Sequence, residues 1–130
     1  MQKSKRQSGR LSVFKGREAR LNKAIFQILA LRGPLTAYDI AKQIRQQKFM
    51  RRKLPSVVNR RVRVLERLGY VKKAGTKKTL PGSIGILYQI SSKAYLALML
   101  DQVSLNDIIE KTDETAALEL LARIVSISDT

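Results

Sequence analysis

Residues 56–71, SVVNRRVRVLERLGYV, decide how the rest of the chain is read. At about 100° per residue, Val58, Val62 and Leu65 fall on one side of a helix, and Ser56, Arg60, Arg63 and Arg67 fall on the opposite side. Asn59 and Arg61 occupy the flanks. An apolar stripe holds such a helix to a core while three arginines project from its far face. The helix follows Pro55, with Ser56 read as its cap, and Gly69 closes it, so its expected span is Ser56 to Leu68.

Toward the N-terminus, Leu21, Ala24, Ile25, Ile28 and Leu29 make one helical stripe between Glu18 and Arg32, ended by Gly33-Pro34. Thr36 with Asp39 three residues on has the spacing of a capping box. Leu35 and Ile40 stand where a hydrophobic staple would, and Ile40, Ala41 and Ile44 supply the buried face of a second helix. A basic connection, QQKFMRRKL (46–54), leads to Pro55. Met1 to Val13 reads as a basic arm without periodicity, carrying Lys3, Lys5, Arg6 and Arg10.

Toward the C-terminus, Tyr70 to Ala74 begins a β-hairpin whose return strand is Ile86 to Ile90, with Ile86, Tyr88 and Ile90 alternating with Leu87 and Gln89. The tip between them, GTKKTLPGSIG (75–85), is marked by glycine and proline and carries Lys77 and Lys78. Ser91 or Ser92 caps a helix running through Leu100. Ser104 with Asp107, and Asp113 with Glu114, mark two further helix starts, and Leu118, Leu121, Ile124 and Val125 make the last helix amphipathic. The expected organisation is an arm over residues 1–16, a main domain over 17–101 and a helical extension over 102–130 that packs back or dimerises. The fold class is mainly α with a small β-hairpin.

Charge points to the partner. The formal net charge is +16, but residues 1–93 hold 24 of the 26 Lys and Arg against Glu18, Asp39 and Glu66, a net +21, whereas residues 94–130 carry −5. A concentrated cationic front fits a polyanion, nucleic acid above all. The chain has no cysteine and no histidine, which removes thiolate chemistry and the commonest general base and zinc ligand. The glycines of the 75–85 loop lack the order of a phosphate-binding P-loop. Asp107, Glu110, Asp113 and Glu114 are better explained as helix starts than as a metal site. No catalytic constellation, cofactor, metal or small-molecule ligand is indicated. The apolar runs are too short for a membrane span, the charged start does not look like a secretory signal, and a cytoplasmic, nucleoid-associated protein is expected.

The order helix, helix, helix, strand, basic turn, strand, helix resembles that of winged helix-turn-helix proteins, particularly MarR-like and PadR-like bacterial and archaeal regulators. TAYDIAKQI (36–44) is similar to the first helix of their helix pair, SVVNRRVRVLERLGYV to the recognition helix running into the wing, and LYQISSKA (87–94) to the second wing strand and following helix. The likeness covers about Leu21 to Leu100. It departs from the minimal pattern in a longer connection between the paired helices and a long wing tip containing Pro81.

The resemblance implies a sequence-specific binder of double-stranded DNA acting in transcription. The recognition helix would enter the major groove, with Ser56, Val57, Asn59 and Arg60 near base edges. Arg60 and Arg63 can each donate two bonds to guanine and Asn59 can pair with adenine, while Arg61, Arg67, Arg51, Arg52 and Lys53 suit phosphates. Lys77 and Lys78 would follow the backbone or enter the minor groove, as would the basic arm. An RNA-binding or ribosome-associated winged helix is the alternative, although the deep, narrow major groove of duplex RNA excludes such a helix. A protein-binding winged helix with an acidic partner is a third possibility, and a homodimer through the C-terminal helices remains open.

Overall fold

The computed structural model describes residues 11–47, 50 and 53–128. Among these are six α-helices and a small three-stranded antiparallel sheet, in the order α1 (Ala19–Arg32), β1 (Leu35–Thr36), α2 (Ala37–Arg45), α3 (Pro55–Arg67), β2 (Val71–Lys78), β3 (Ile84–Ile90), α4 (Ser92–Asp101), α5 (Leu105–Lys111) and α6 (Glu114–Ser128). No helix among the described residues is long and apolar enough to cross a membrane.

α1 is the centre of the core because its apolar residues recur at 3–4-residue spacing, and Leu21, Ala24, Ile25, Phe26, Ile28 and Leu29 are all buried. Residues 11–16, expected in the N-terminal arm, belong instead to the folded body. A 3₁₀ turn at Ser12–Phe14 buries Val13 and Phe14, the Phe14 ring meets Phe26 edge-on at 5.7 Å, and Asn22 Nδ2 donates to the Val13 carbonyl at 2.9 Å. Two apolar residues between Ser12 and Lys15 carry no period, so the sequence hides them.

Gly33, at φ +80, turns the chain out of α1 into β1. Thr36 then caps α2 as its sequence suggests, its Oγ1 accepting from the Asp39 N–H at 3.1 Å. The other arm of the capping box is replaced, since the Asp39 carboxylate faces Lys77. Leu35 and Thr36 also pair with Tyr88 and Leu87, a two-residue strand too short to show any pattern in sequence.

α3 starts one residue earlier than expected. Leu54 is its N-cap, Pro55 fills the first helical position and no side-chain bond caps it, so Ser56 lies within the first turn rather than capping it. At the far end Gly69 takes φ +87, its N–H reaching the Glu66 carbonyl and the Tyr70 N–H the Leu65 carbonyl, a Schellman closure. Lys93 Nζ donates to the Leu68 carbonyl at 2.8 Å. A cation there also opposes the negative end of the helix dipole.

The hairpin is longer, and its turn shorter, than the glycines imply. β2 pairs antiparallel with β3 from Val71↔Ile90 to Lys78↔Ile84, with an irregularity between Lys73 and Gly75 that leaves Ala74 without a partner. Lys77 and Lys78 are therefore strand residues, not loop residues. The sheet order is β1-β3-β2. Tyr88 and Ile90 are buried, but Ile86, nearer the tip, is 40% exposed.

Ser91 caps α4 by accepting from the Ala94 N–H, and Ala94, Ala97 and Leu98 pack inward. Lys23 Nζ meets Asp101 Oδ2 at 2.8 Å, joining α1 to the end of α4. Ser104 caps α5, and Asp113 Oδ1 accepts from the Ala116 N–H at the start of α6. No residue of α5 or α6 is buried.

Candidate nucleic-acid interface

α3 divides into four strips. Val58, Val62 and Leu65, each 0% exposed, face the core. Opposite them Ser56, Arg60, Arg63 and Arg67 are exposed. Burying three aliphatic side chains stabilises the helix by roughly 1.5–3 kcal/mol each, so the arginine face is held in position without contributing to the core itself.

The flank toward the hairpin carries Asn59 and Glu66. A groove of about 700 Å³ runs between the start of α2, α3 and the sheet, with Asn59, Arg63, Asp39, Lys77, Leu80 and Ile84 among its lining residues. Lys77 Nζ lies 3.5 Å from Asp39 Oδ2, and Lys73 Nζ lies 3.8 Å from Glu66 Oε2. The hairpin is thereby tied by charge to both α2 and α3. In the turn at its end, Leu80 borders the groove and is 70% exposed.

The other flank faces the start of α1. Arg61 Nη2 stands 3.6 Å from Glu18 Oε2 and is partly buried, and Val57 packs against the core cluster. Val57, expected near base edges, is thus half-turned to the interior, where apolar burial outweighs exposure. Beside this flank lies a basin of about 610 Å³ lined by Arg17, Arg20, Lys23 and Lys53 over Phe14 and Met50.

The expected residues are therefore placed as follows. Ser56, Arg60, Arg63 and Arg67 share one open face, Asn59 borders it on the hairpin side with Lys77, and Arg61 and Lys53 lie on the α1 side. Lys78 is exposed at the end of β2. Arg51 and Arg52, like the arm lysines and arginines at 3, 5, 6 and 10, lie outside the described residues. Sequence reading missed Arg17, Arg20 and Lys23. Their i, i+3, i+6 spacing across the start of α1 is the available signal, but without the fold nothing relates that edge to Lys53, thirty residues later.

The arrangement offers donors and positive charge on a convex helix between two cationic flanks. Searches against family models, curated proteins and solved structures gave no match to this chain.

Proposed function

We propose that this chain is a winged helix-turn-helix protein that binds double-stranded DNA in a sequence-dependent way, as a transcriptional regulator on the nucleoid. The observation that carries this is the exposed row Ser56, Arg60, Arg63 and Arg67, set directly behind the fully buried Val58, Val62 and Leu65. In this account α2 and α3 are the helix pair, α3 is the recognition helix and β2–β3 is the wing. A major groove admits one α-helix, and its base edges accept bidentate bonds from arginine and asparagine. Arg60 and Arg63 are read as guanine contacts and Asn59 as an adenine contact, with Arg67 and Lys78 at phosphates. The net charge of +16 supplies the long-range attraction.

The unburied α6 supports a second copy of this chain as its partner. Leu118, Leu121, Ile124 and Val125 are each more than half exposed along a fifteen-residue helix, and isolated helices of that length are marginal in water. α6 holds only Glu114, Glu119 and Arg123 as charged residues. Pairing α6 with α6 avoids the repulsion that would meet two cationic fronts. It would also present two recognition helices to paired half-sites.

Selection of bound sequences from random duplex DNA, followed by titration over a salt series, tests the function. Neutralising six to eight phosphates gives a log–log slope of about −5 to −7. Stronger binding to duplex RNA, or to an acidic polypeptide, at the same salt would overturn it.

A further inference from the structure

We propose that the main clamp on the DNA backbone is the α1 flank of α3, centred on Arg17 and Lys53, rather than the hairpin; this rests on the DNA-binding function proposed for α3. Phosphates border a major groove on both edges, so a helix lying in it needs cations on both flanks. The two flanks of α3 are not equivalent in free positive charge. On the hairpin flank, Lys77 already has Asp39 at 3.5 Å and Lys73 has Glu66 at 3.8 Å, so that of the two lysines at the end of β2 only Lys78, exposed, has no acid beside it among the described residues. On the α1 flank, Arg61 is taken by Glu18 at 3.6 Å. Arg17 and Lys53, at the rim of the adjoining basin, make no ion pair and no side-chain hydrogen bond among the described residues.

A cation that must leave or share a carboxylate to reach a phosphate gains less than one that faces only water. Its counterion release is partly spent before DNA arrives. The α1 flank is also firmly built. Phe14 and Met50, 2% and 5% exposed, form the floor of the basin. Lys53 stands two residues before the first turn of α3 and Arg17 two before α1, and the Arg61–Glu18 pair joins those two helices. The backbone positions that carry both charges are therefore set relative to α3 before DNA binds, which leaves only the side chains themselves to be ordered on association.

Duplex binding over a salt series, comparing Arg17→Gln/Lys53→Gln with Lys77→Gln/Lys78→Gln, tests this. Glutamine keeps much of each aliphatic stem, and thermal unfolding of each variant verifies its fold. The Arg17/Lys53 pair is expected to flatten the log–log slope by about two units and the hairpin pair by about one, each by the same factor on every sequence. An equal or greater flattening by the hairpin pair, with the wild-type slope steep, overturns the inference and leaves DNA binding standing. A wild-type slope near zero overturns both. Phosphate ethylation interference gives a measure that does not depend on the α1-flank variant folding. Two clusters are expected across the major groove, and the one lost in Lys77→Gln/Lys78→Gln should be the weaker; if it is the stronger, the hairpin is the main clamp.

Discussion

Lys77 Nζ stands 3.5 Å from Asp39 Oδ2, so the last part of β2 and the first turn of α2 meet across the groove beside α3. Both side chains remain substantially exposed, at 54% and 30%, and a pair of this kind contributes about 0–1 kcal/mol to stability. Its larger effect is on the charge available to a polyanion. Asp39→Asn keeps the shape of the first turn and releases Lys77. We expect tighter duplex binding on all sequences and a salt slope steeper by up to about one unit, with little change in thermal midpoint. Weaker binding would mean that Asp39 holds Lys77 in its working position.

Gly85 makes the approach of β3 to β1 possible. A Cβ there would stand 2.9 Å from Thr36 Cγ2 and 2.9 Å from Thr79 Cγ2, both on stiff β-branched side chains. Gly85→Ala should therefore destabilise the protein by roughly 1–3 kcal/mol and loosen the hairpin. Denaturant unfolding gives the cost, and amide exchange at Leu87 and Tyr88, whose N–H groups point to opposite neighbours of β3, reports its pairing with β1 and β2. An unchanged midpoint with normal protection would show that Thr36 and Thr79 shift to admit the methyl without penalty.

Leu118 and Leu121 are each 58% exposed on α6 and neither belongs to the buried core, so replacing both with Asp leaves the core of the folded body intact. If α6 is a dimer contact, Leu118→Asp/Leu121→Asp should sediment as a monomer at concentrations where the parent is a dimer, with its thermal transition retained. A parent that stays monomeric at high micromolar concentration, alone and on DNA, would contradict the dimer.

The parts of this structure that repeat were legible in its sequence. The two faces of α3 follow from a 3.6-residue period, and Thr36, Ser104 and Asp113 cap their helices because short polar side chains satisfy the free N–H groups of a first turn. What lacks a period was not legible. β1 has two residues, and Val13-Phe14 is a lone apolar pair. Gly75 imitates a turn, although its φ of +132 is absorbed by the irregularity in β2; this is why Lys77 and Lys78 were expected in the loop. The neutralised flanks were hidden for another reason. Glu18 and Arg61, or Asp39 and Lys77, meet only after distant segments have packed, so local spacing could assign those cations to phosphates but could not show that acids already hold them.

The most direct test of the central claim is paired titration of Arg60→Ala and Arg63→Ala against a selected duplex and a scrambled one. Both side chains are exposed opposite the buried stripe, so each variant should unfold with the parent's midpoint. Loss of a bidentate base contact should cost roughly 1–3 kcal/mol on the selected site and much less on the scrambled one, relaxing selectivity at one base pair. If both variants lose the two duplexes equally, α3 grips only phosphates, and sequence reading by this helix is contradicted.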